Sequence, residues 1–398
     1  MNIISIFCRW LLPNFKIHKL IMGLLFLLFT NIFSLSYAYT QPPHKLYGGV
    51  EIGSKGVKSV VVELIKEKEG YDANIRQSEP INTGITKGME KTKKFSSEAI
   101  ADTVKAVKTL YMEIKEKDKV SPDHIYIIGS SGISVAENKE ELSEKVLTAT
   151  GKEMVFISVE TEVTLAISGL IPSKYSNTAF LVDIGSGNTK SGYRVSRSSI
   201  ETKNDPFFTM SVPYGTVTFT DAITKNNPDG TNFVEQADKL TNDLISVPIR
   251  EEIDRKPGFL NRDRAYLSGG IVWAMTTLLH PANRKLFVRL MPQDIDTFYN
   301  QAVNNPEALL NPNLSKIFTS KMRHSLKAKE QAEKDLKRVK DTFTPNQLIA
   351  GAKIMQAISN ELNLKNKRMY FARQGYIAWL FSYINEAELS QNTTHGNR

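Results

Sequence analysis

The sequence predicts an α/β protein assembled from two duplicated halves. Three observations carry this. Strand-like apolar runs alternate with helical periodicities along the chain. One nine-residue segment occurs twice, at 51–59 and 183–191. The composition is that of a globular protein: 398 residues, 41% hydrophobic and 23% charged. Collagen-like, low-complexity and wholly disordered chains are thereby excluded. At about 150 residues per domain, the length suits two or three domains with real cores. The formal charge of +9 suits an anionic ligand, whether phosphate, nucleic acid or a membrane surface, and selects none of them. The single cysteine, Cys8, rules out a disulfide scaffold and a Cys-rich zinc site.

Residues 1–38 read as a signal peptide. Arg9, Lys16 and Lys19 precede an apolar run from Leu20 to Phe33, no acid occurs before Glu51, and Ser36-Tyr37-Ala38 offers small residues for cleavage. The run is short for a span of about 20 residues. A removed signal is therefore expected rather than a retained inner-membrane anchor, and the rest of the chain is translocated in either case. The expected location is periplasmic or otherwise outside the cytoplasm. A mature chain without cysteine suits an oxidising compartment.

The elements follow in order. After Gly53, Val60 to Leu64 reads as a strand. Ser96-Ser97-Glu98 opens a helix, and Ile100, Val104, Val107 and Ile114 recur at helical spacing through Lys117. Ile125 to Ile128 is a buried-type strand ending at Gly129. Met154 to Ser158 is another, followed by a helix start at Glu160 to Gly169. Ala179 to Val182 runs into Asp183-Ile184-Gly185, and Ala265 to Leu267 into Ser268-Gly269-Gly270. Lys321 to Asp341 reads as an exposed helix with sparse apolar positions at Leu326, Leu336 and Val339, a polyanion-binding arm being the alternative. Thr344-Pro345 opens a helix through Leu362. The expected division is 39–170 for one half and 171–398 for the other, with a helical insertion at about 281–342.

The repeat carries the chemistry. Glu51-Ile-Gly-Ser-Lys-Gly-Val-Lys-Ser59 and Asp183-Ile-Gly-Ser-Gly-Asn-Thr-Lys-Ser191 share five of nine positions, and the first is acidic in both. Each reads as strand, Gly/Ser hairpin, strand. Glycines without Cβ atoms let backbone N–H groups close around an anion. Gly53, Gly185 and Gly187 would do so here, while Ser54, Lys55, Ser186, Asn188 and Thr189 add side-chain donors. Glu51 or Asp183, at a strand end, can hold Mg²⁺ or another divalent cation through water. Taken singly, either hairpin is equally a plain turn. Two of them, with the glycine pair Gly269-Gly270, suggest a clamp on a phosphate chain.

Acid-Ile-Gly twice, then Ser-Gly-Gly, resembles the phosphate motifs of the actin, heat-shock ATPase and sugar-kinase superfamily. Within it the chain looks most like the exopolyphosphatase and guanosine pentaphosphate phosphatase family, from about Tyr47 to Trp379. That family carries Ile-Ser-Gly-x-Glu-Glu-Ala before its second hairpin, and Ile157-Ser158-Val159-Glu160-Thr161-Glu162-Val163 stands there here. The resemblance places the family's catalytic glutamate on Glu162. Val212-Pro213-Tyr214-Gly215-Thr216 resembles its glycine turn, so Gly215 joins the expected phosphate contacts. It implies two ribonuclease H-like, actin-like lobes with a central cleft and mostly helical C-terminal additions. It also implies Mg²⁺ and a substrate that is polyphosphate or a nucleotide polyphosphate, and it leaves a homodimer open. From the residues alone, a carboxylate at Glu162 can orient and deprotonate an in-line water. Equally, Glu160 and Glu162 can simply complement a helix N-terminus.

Four departures from the family stand out: Glu51 for its usual Asp, Lys55 within a turn that is usually Ser-Asn-Ser, Ser134 where it has an arginine, and Lys190 where it has a functional acid. Loss of an arginine removes a bidentate phosphate contact. The sequence therefore supports an exported phosphoanhydride hydrolase first, a family member that binds phosphate chains without cutting them second, and an actin-like ATP switch third. The six histidines form no H-x-x-x-H spacing, and no serine elbow or Walker loop occurs. Nucleic acid is not expected, because Lys321 to Asp341 has no aromatics between its basic residues.

Overall fold

The computed structural model describes residues 45–67, 70–77, 80–195, 206–227, 229–318, 325–373 and 375–395. The expected signal peptide, residues 1–38, lies outside these residues.

Two six-stranded sheets organise the chain. The first contains β1 (Lys45–Ile52), β2 (Gly56–Glu67), β3 (Gly70–Gln77), β4 (Ile81–Asn82), β5 (Ile125–Gly129) and β6 (Met154–Phe156), in the order β3-β2-β1-β5-β6 with β4 on β2. The second contains β7 (Ala179–Ile184), β8 (Thr189–Arg194), β9 (Phe207–Val212), β10 (Arg264–Ser268), β11 (Phe287–Leu290) and β12 (Arg368–Ala372), in the order β11-β12-β10-β7-β8-β9. The path β3-β2-β1-β5-β6 is repeated as β9-β8-β7-β10-β12, so the duplication read from nine residues extends to whole-sheet topology. In both sheets the repeat-bearing strand pairs in parallel with the next one: β1 with β5, and β7 with β10. β11 is an addition on the second edge, antiparallel to β12. By contacts the described chain forms two units. One is Lys45 with residues 63–74; the other is residues 46–62 and 75 onward.

Parallel pairing requires strands buried on both faces. β7 meets this with Ala179, Phe180, Leu181, Val182 and Ile184, and β1 with Val50 and Ile52. The first sheet's core packs β1 and β5 on the Ser97–Met112 and Lys139–Thr150 helices. Ser96 caps the former by accepting from the Ala99 N–H at 3.2 Å, as Ser96-Ser97-Glu98 predicts, and a π-helical turn continues it through Lys117. A separate core surrounds β7 and β10 with the Thr216–Lys225, Gly270–Leu279 and Pro345–Glu361 helices. Thr344 and Gln347 form a reciprocal capping box at the last of these.

Two helices pack in ways that their own sequences do not show. The Val159–Leu170 helix follows β6 but packs against the second sheet, because Gly192 leaves room: a Cβ there would lie 2.6 Å from Val163 Cγ1. The basic segment forms the Ser325–Thr342 helix, yet Ala332, Leu336 and Val339 are buried while Leu326 is exposed. One face of that helix is therefore core, which a charge-rich sequence conceals. The Gly375–His395 helix packs its Leu380 on β1 at Gly49 and approaches Gly169 through Ala378. Among the described residues, no helix is long and apolar enough to cross a membrane.

Candidate active site in the cleft between the hairpins

Each hairpin closes on its own backbone: Gly53 N–H donates to Gly56 O at 2.9 Å, and Gly185 N–H to Asn188 O at 3.0 Å. The two turns touch. A Cβ on Gly187 would lie 2.5 Å from Ser54 Oγ, and Asn188 Nδ2 donates to Ser131 Oγ at 3.2 Å. Together they wall a cavity of about 610 Å³. Gly53, Ser54 and Lys55 line one side; Gly185, Ser186, Gly187 and Asn188 line the other. Glu51, Glu162 and Asp183 line it too, as do Gly269 and Gly270. At Gly269, φ is +98° and a Cβ would sit 2.1 Å from Ile184 O, so only glycine lets β10 turn there.

Thr189 and Gly215, both expected to hold phosphate, do not line the cavity. Thr189 Oγ1 donates to Tyr214 O at 2.8 Å. At Gly215 a Cβ would meet Gly185 O at 2.4 Å, and the N–H groups of Thr216 and Val217 donate to Gly185 O and Ser186 O. The helix N-terminus is spent on bracing the second hairpin from behind, so its donors are not offered to a ligand.

Glu162 sits in the first turn of its helix, which Ser158 caps through the Thr161 N–H at 3.1 Å. Its side chain is buried, while Glu160 is exposed. Glu162 Oε2 accepts from Ser131 N–H at 2.9 Å, and Oε1 accepts from Lys190 Nζ. Lys190 also lies 3.2 Å from Asp183 Oδ2, its direct cross-strand partner on β7 and β8. Asp183 Oδ1 accepts from Ser268 Oγ at 2.5 Å. Burial alone would lower the Lys190 ammonium, but the Glu162 and Asp183 carboxylates outweigh it and hold it above the ordinary lysine range. Glu51 is pushed up, chiefly by burial and further by Glu162, against the opposing pull of Lys58 at 3.4 Å and of Lys190.

These residues do not fit the divalent cation that the family resemblance implies. The place between Glu162 and Asp183 is taken by an ammonium group. Among the described residues no cluster of three or more His, Cys, Asp or Glu is arranged to hold a metal. Glu51 and Asp183, the two acids expected to hold that cation, each face a lysine instead: Lys58 at 3.4 Å and Lys190 at 3.2 Å.

Lys55 leaves the hairpin tip to lie 4.1 Å over the Phe343 ring and donates to Gln347 Oε1 at 3.2 Å. Its burial lowers its pKa to about 8. Ser134, in the place of the family's arginine, donates locally to Ser131 O at 3.0 Å. The cavity's guanidinium groups come instead from Arg284, Arg338 and Arg373 on the second sheet's side. Arg284 pairs with Asp335, and Arg338 stacks over Trp273 at 5.1 Å. Sequence reasoning missed all three, since they are scattered over ninety positions; the basic Lys321–Asp341 run was the one pointer to Arg338.

The Ppx/GppA phosphatase family matches residues 64–255. No curated protein matches. Among solved structures, an exopolyphosphatase from Cytophaga hutchinsonii is similar at 12% identity, with a TM-score of 0.58, over 86% of this chain and 98% of that one. The Aquifex aeolicus PPX-GPPA enzyme is similar at 16% identity, with a TM-score of 0.55, over 84% and 99%. An exopolyphosphatase-like protein gives 16% and 0.58 over 83% and 97%. At these identities the likeness is one of fold. The chain is thus similar in sequence to the Ppx/GppA phosphatase family across residues 64–255, and shares the fold of these solved structures across most of its length.

Proposed function

We propose that the protein is an exported phosphoanhydride hydrolase of the exopolyphosphatase type, releasing phosphate from inorganic polyphosphate or a nucleotide polyphosphate. One observation carries this reading: the buried Glu162 carboxylate lines a cavity walled by both glycine hairpins. Phosphoryl transfer asks a protein mainly for positioning and countercharge. The hairpins supply close backbone approach, and Lys55 and the cavity arginines supply charge. A water oxygen attacks the terminal phosphorus, the bridging P–O bond breaks, the released chain keeps its oxygen, and the water proton passes to Glu162. Lys190 exchanges Glu162 for a phosphoryl oxygen as the ligand enters, which frees the carboxylate to accept that proton.

The test is phosphate release by the full chain over a panel of polyphosphates and nucleotides. Glu162→Gln is expected to lower the rate by about 10²–10⁴-fold. No release from any substrate, or equal release by the variant, ends the proposal. A second reading, binding without cleavage, is favoured by the engagement of both Glu162 oxygens and by the lysine in place of the family's acid. Calorimetric binding of polyphosphate with no phosphate released selects it. Export rests on the basic-flanked apolar run before Ala38. Sequencing of the cellular protein should read Tyr39 first; a protein found only in the cytoplasm contradicts export.

A further inference from the structure

We propose that the Lys190 ammonium stands where a divalent cation would otherwise sit, so that this cleft grips a phosphate chain with its own side-chain cations and takes up no divalent metal. The proposal rests on the cleft being a phosphate-chain site.

The observations are geometric. The Lys190 side chain is 6% exposed and bridges Glu162 Oε1 and Asp183 Oδ2. The other oxygens of these two carboxylates are taken as well, by Ser131 N–H at 2.9 Å and Ser268 Oγ at 2.5 Å. Glu51, the acid that opens the first copy of the repeat, faces Lys58 Nζ through Oε2 at 3.4 Å. Mg²⁺ demands near-octahedral oxygen ligation at about 2.0–2.1 Å. Here both oxygens of Glu162 and both of Asp183 already face protein donors, and an incoming cation would meet an ammonium wedged between these two carboxylates. The arrangement is built into the repeat. Lysine occupies the eighth position of both nine-residue copies, and each lysine pairs with the acid at the first position of its own copy. What repels a metal attracts a phosphoryl oxygen, to which an ammonium presents up to three N–H donors.

The experiment titrates Mn²⁺ alone into the full chain by electron paramagnetic resonance, for wild type, Lys190→Glu and Lys190→Met. Wild type is expected to bind no Mn²⁺ tighter than about 1 mM, Lys190→Met, which frees two carboxylates, to bind it more tightly than wild type, and Lys190→Glu to bind one ion at least about tenfold tighter than wild type. One-to-one Mn²⁺ binding by wild type that Asp183→Asn abolishes overturns the proposal. If Lys190→Glu does not fold, the wild-type and Asp183→Asn titrations decide alone. A second arm measures inorganic tripolyphosphate binding by calorimetry in EDTA. Wild type should bind, and Lys190→Met should bind at least about tenfold more weakly. Binding that requires added Mg²⁺ overturns the inference. Absence of binding with and without Mg²⁺ overturns the phosphate-chain reading of the cleft, and the inference falls with it.

Discussion

The two hairpins descend from one pattern and have been put to different uses. In each, a lysine on the second strand pairs with an acid ending the first: Lys58 with Glu51 at 3.4 Å, and Lys190 with Asp183 at 3.2 Å. The first lysine keeps 31% of its side chain exposed, whereas the second keeps 6%. Only Lys190 also reaches Glu162. The first hairpin adds a different cation, Lys55, which spans to Phe343 and Gln347. The difference teaches that a duplicated ion pair acquires its role from what faces it. Beside the Val159–Leu170 helix it locks a candidate catalytic carboxylate; at the first hairpin its lysine stays partly in water.

The largest contrast to test is stability. Lys190→Met strands two carboxylates with their partner removed and should cost about 3–5 kcal/mol in urea unfolding. Lys58→Met removes a lysine that is 31% exposed and leaves one carboxylate, Glu51, which burial already biases toward its neutral form, so it should cost less. Equal losses would erase the asymmetry. Next comes close packing between the turns. Gly187→Ala sets a methyl 2.5 Å from Ser54 Oγ, whereas at Gly53 the nearest atom is Glu51 Oε1 at 3.1 Å. The former should destabilise by about 1–3 kcal/mol and weaken phosphate binding, and the latter by less. Matching effects in paired melting curves would show that the hairpins do not meet.

The smallest contrast is in pH. Lys55, lowered by burial to about 8, loses its charge as pH rises from 7 to 9. Lys190 is held above the ordinary lysine range and stays charged. Tripolyphosphate affinity should therefore fall across this window, and Lys55→Met should flatten the profile. The stability sign is opposite. Between about 8 and the unfolded lysine value the unfolded chain holds the Lys55 proton more tightly, so this group's contribution favours the fold as pH rises. A wild-type binding profile that stays level from pH 7 to 9 would remove Lys55 from the site.

Much of this was legible beforehand. Local signals fix local structure, so Ser96 and Thr344 marked helix starts and apolar runs marked β5, β7 and β10. The repeat announced a doubled sheet because glycine turns between buried strands constrain backbone geometry within a few residues. Less legible were Thr189 and Gly215, whose donors point into the protein's own turns. Equally hidden was the buried side of the basic helix, where Leu336 and Val339 meet a partner distant in sequence.

The sequence by itself determined the strand-turn-strand unit, its doubling, and the residue types available to meet an anion, for all of these depend on neighbours along the chain. It also wrote Lys190 into the second copy. Only the tertiary structure decided what that lysine does. Glu162, twenty-eight positions away, arrives on a helix packed against Gly192, and a buried ammonium must spend its hydrogen bonds on the carboxylates that folding places around it.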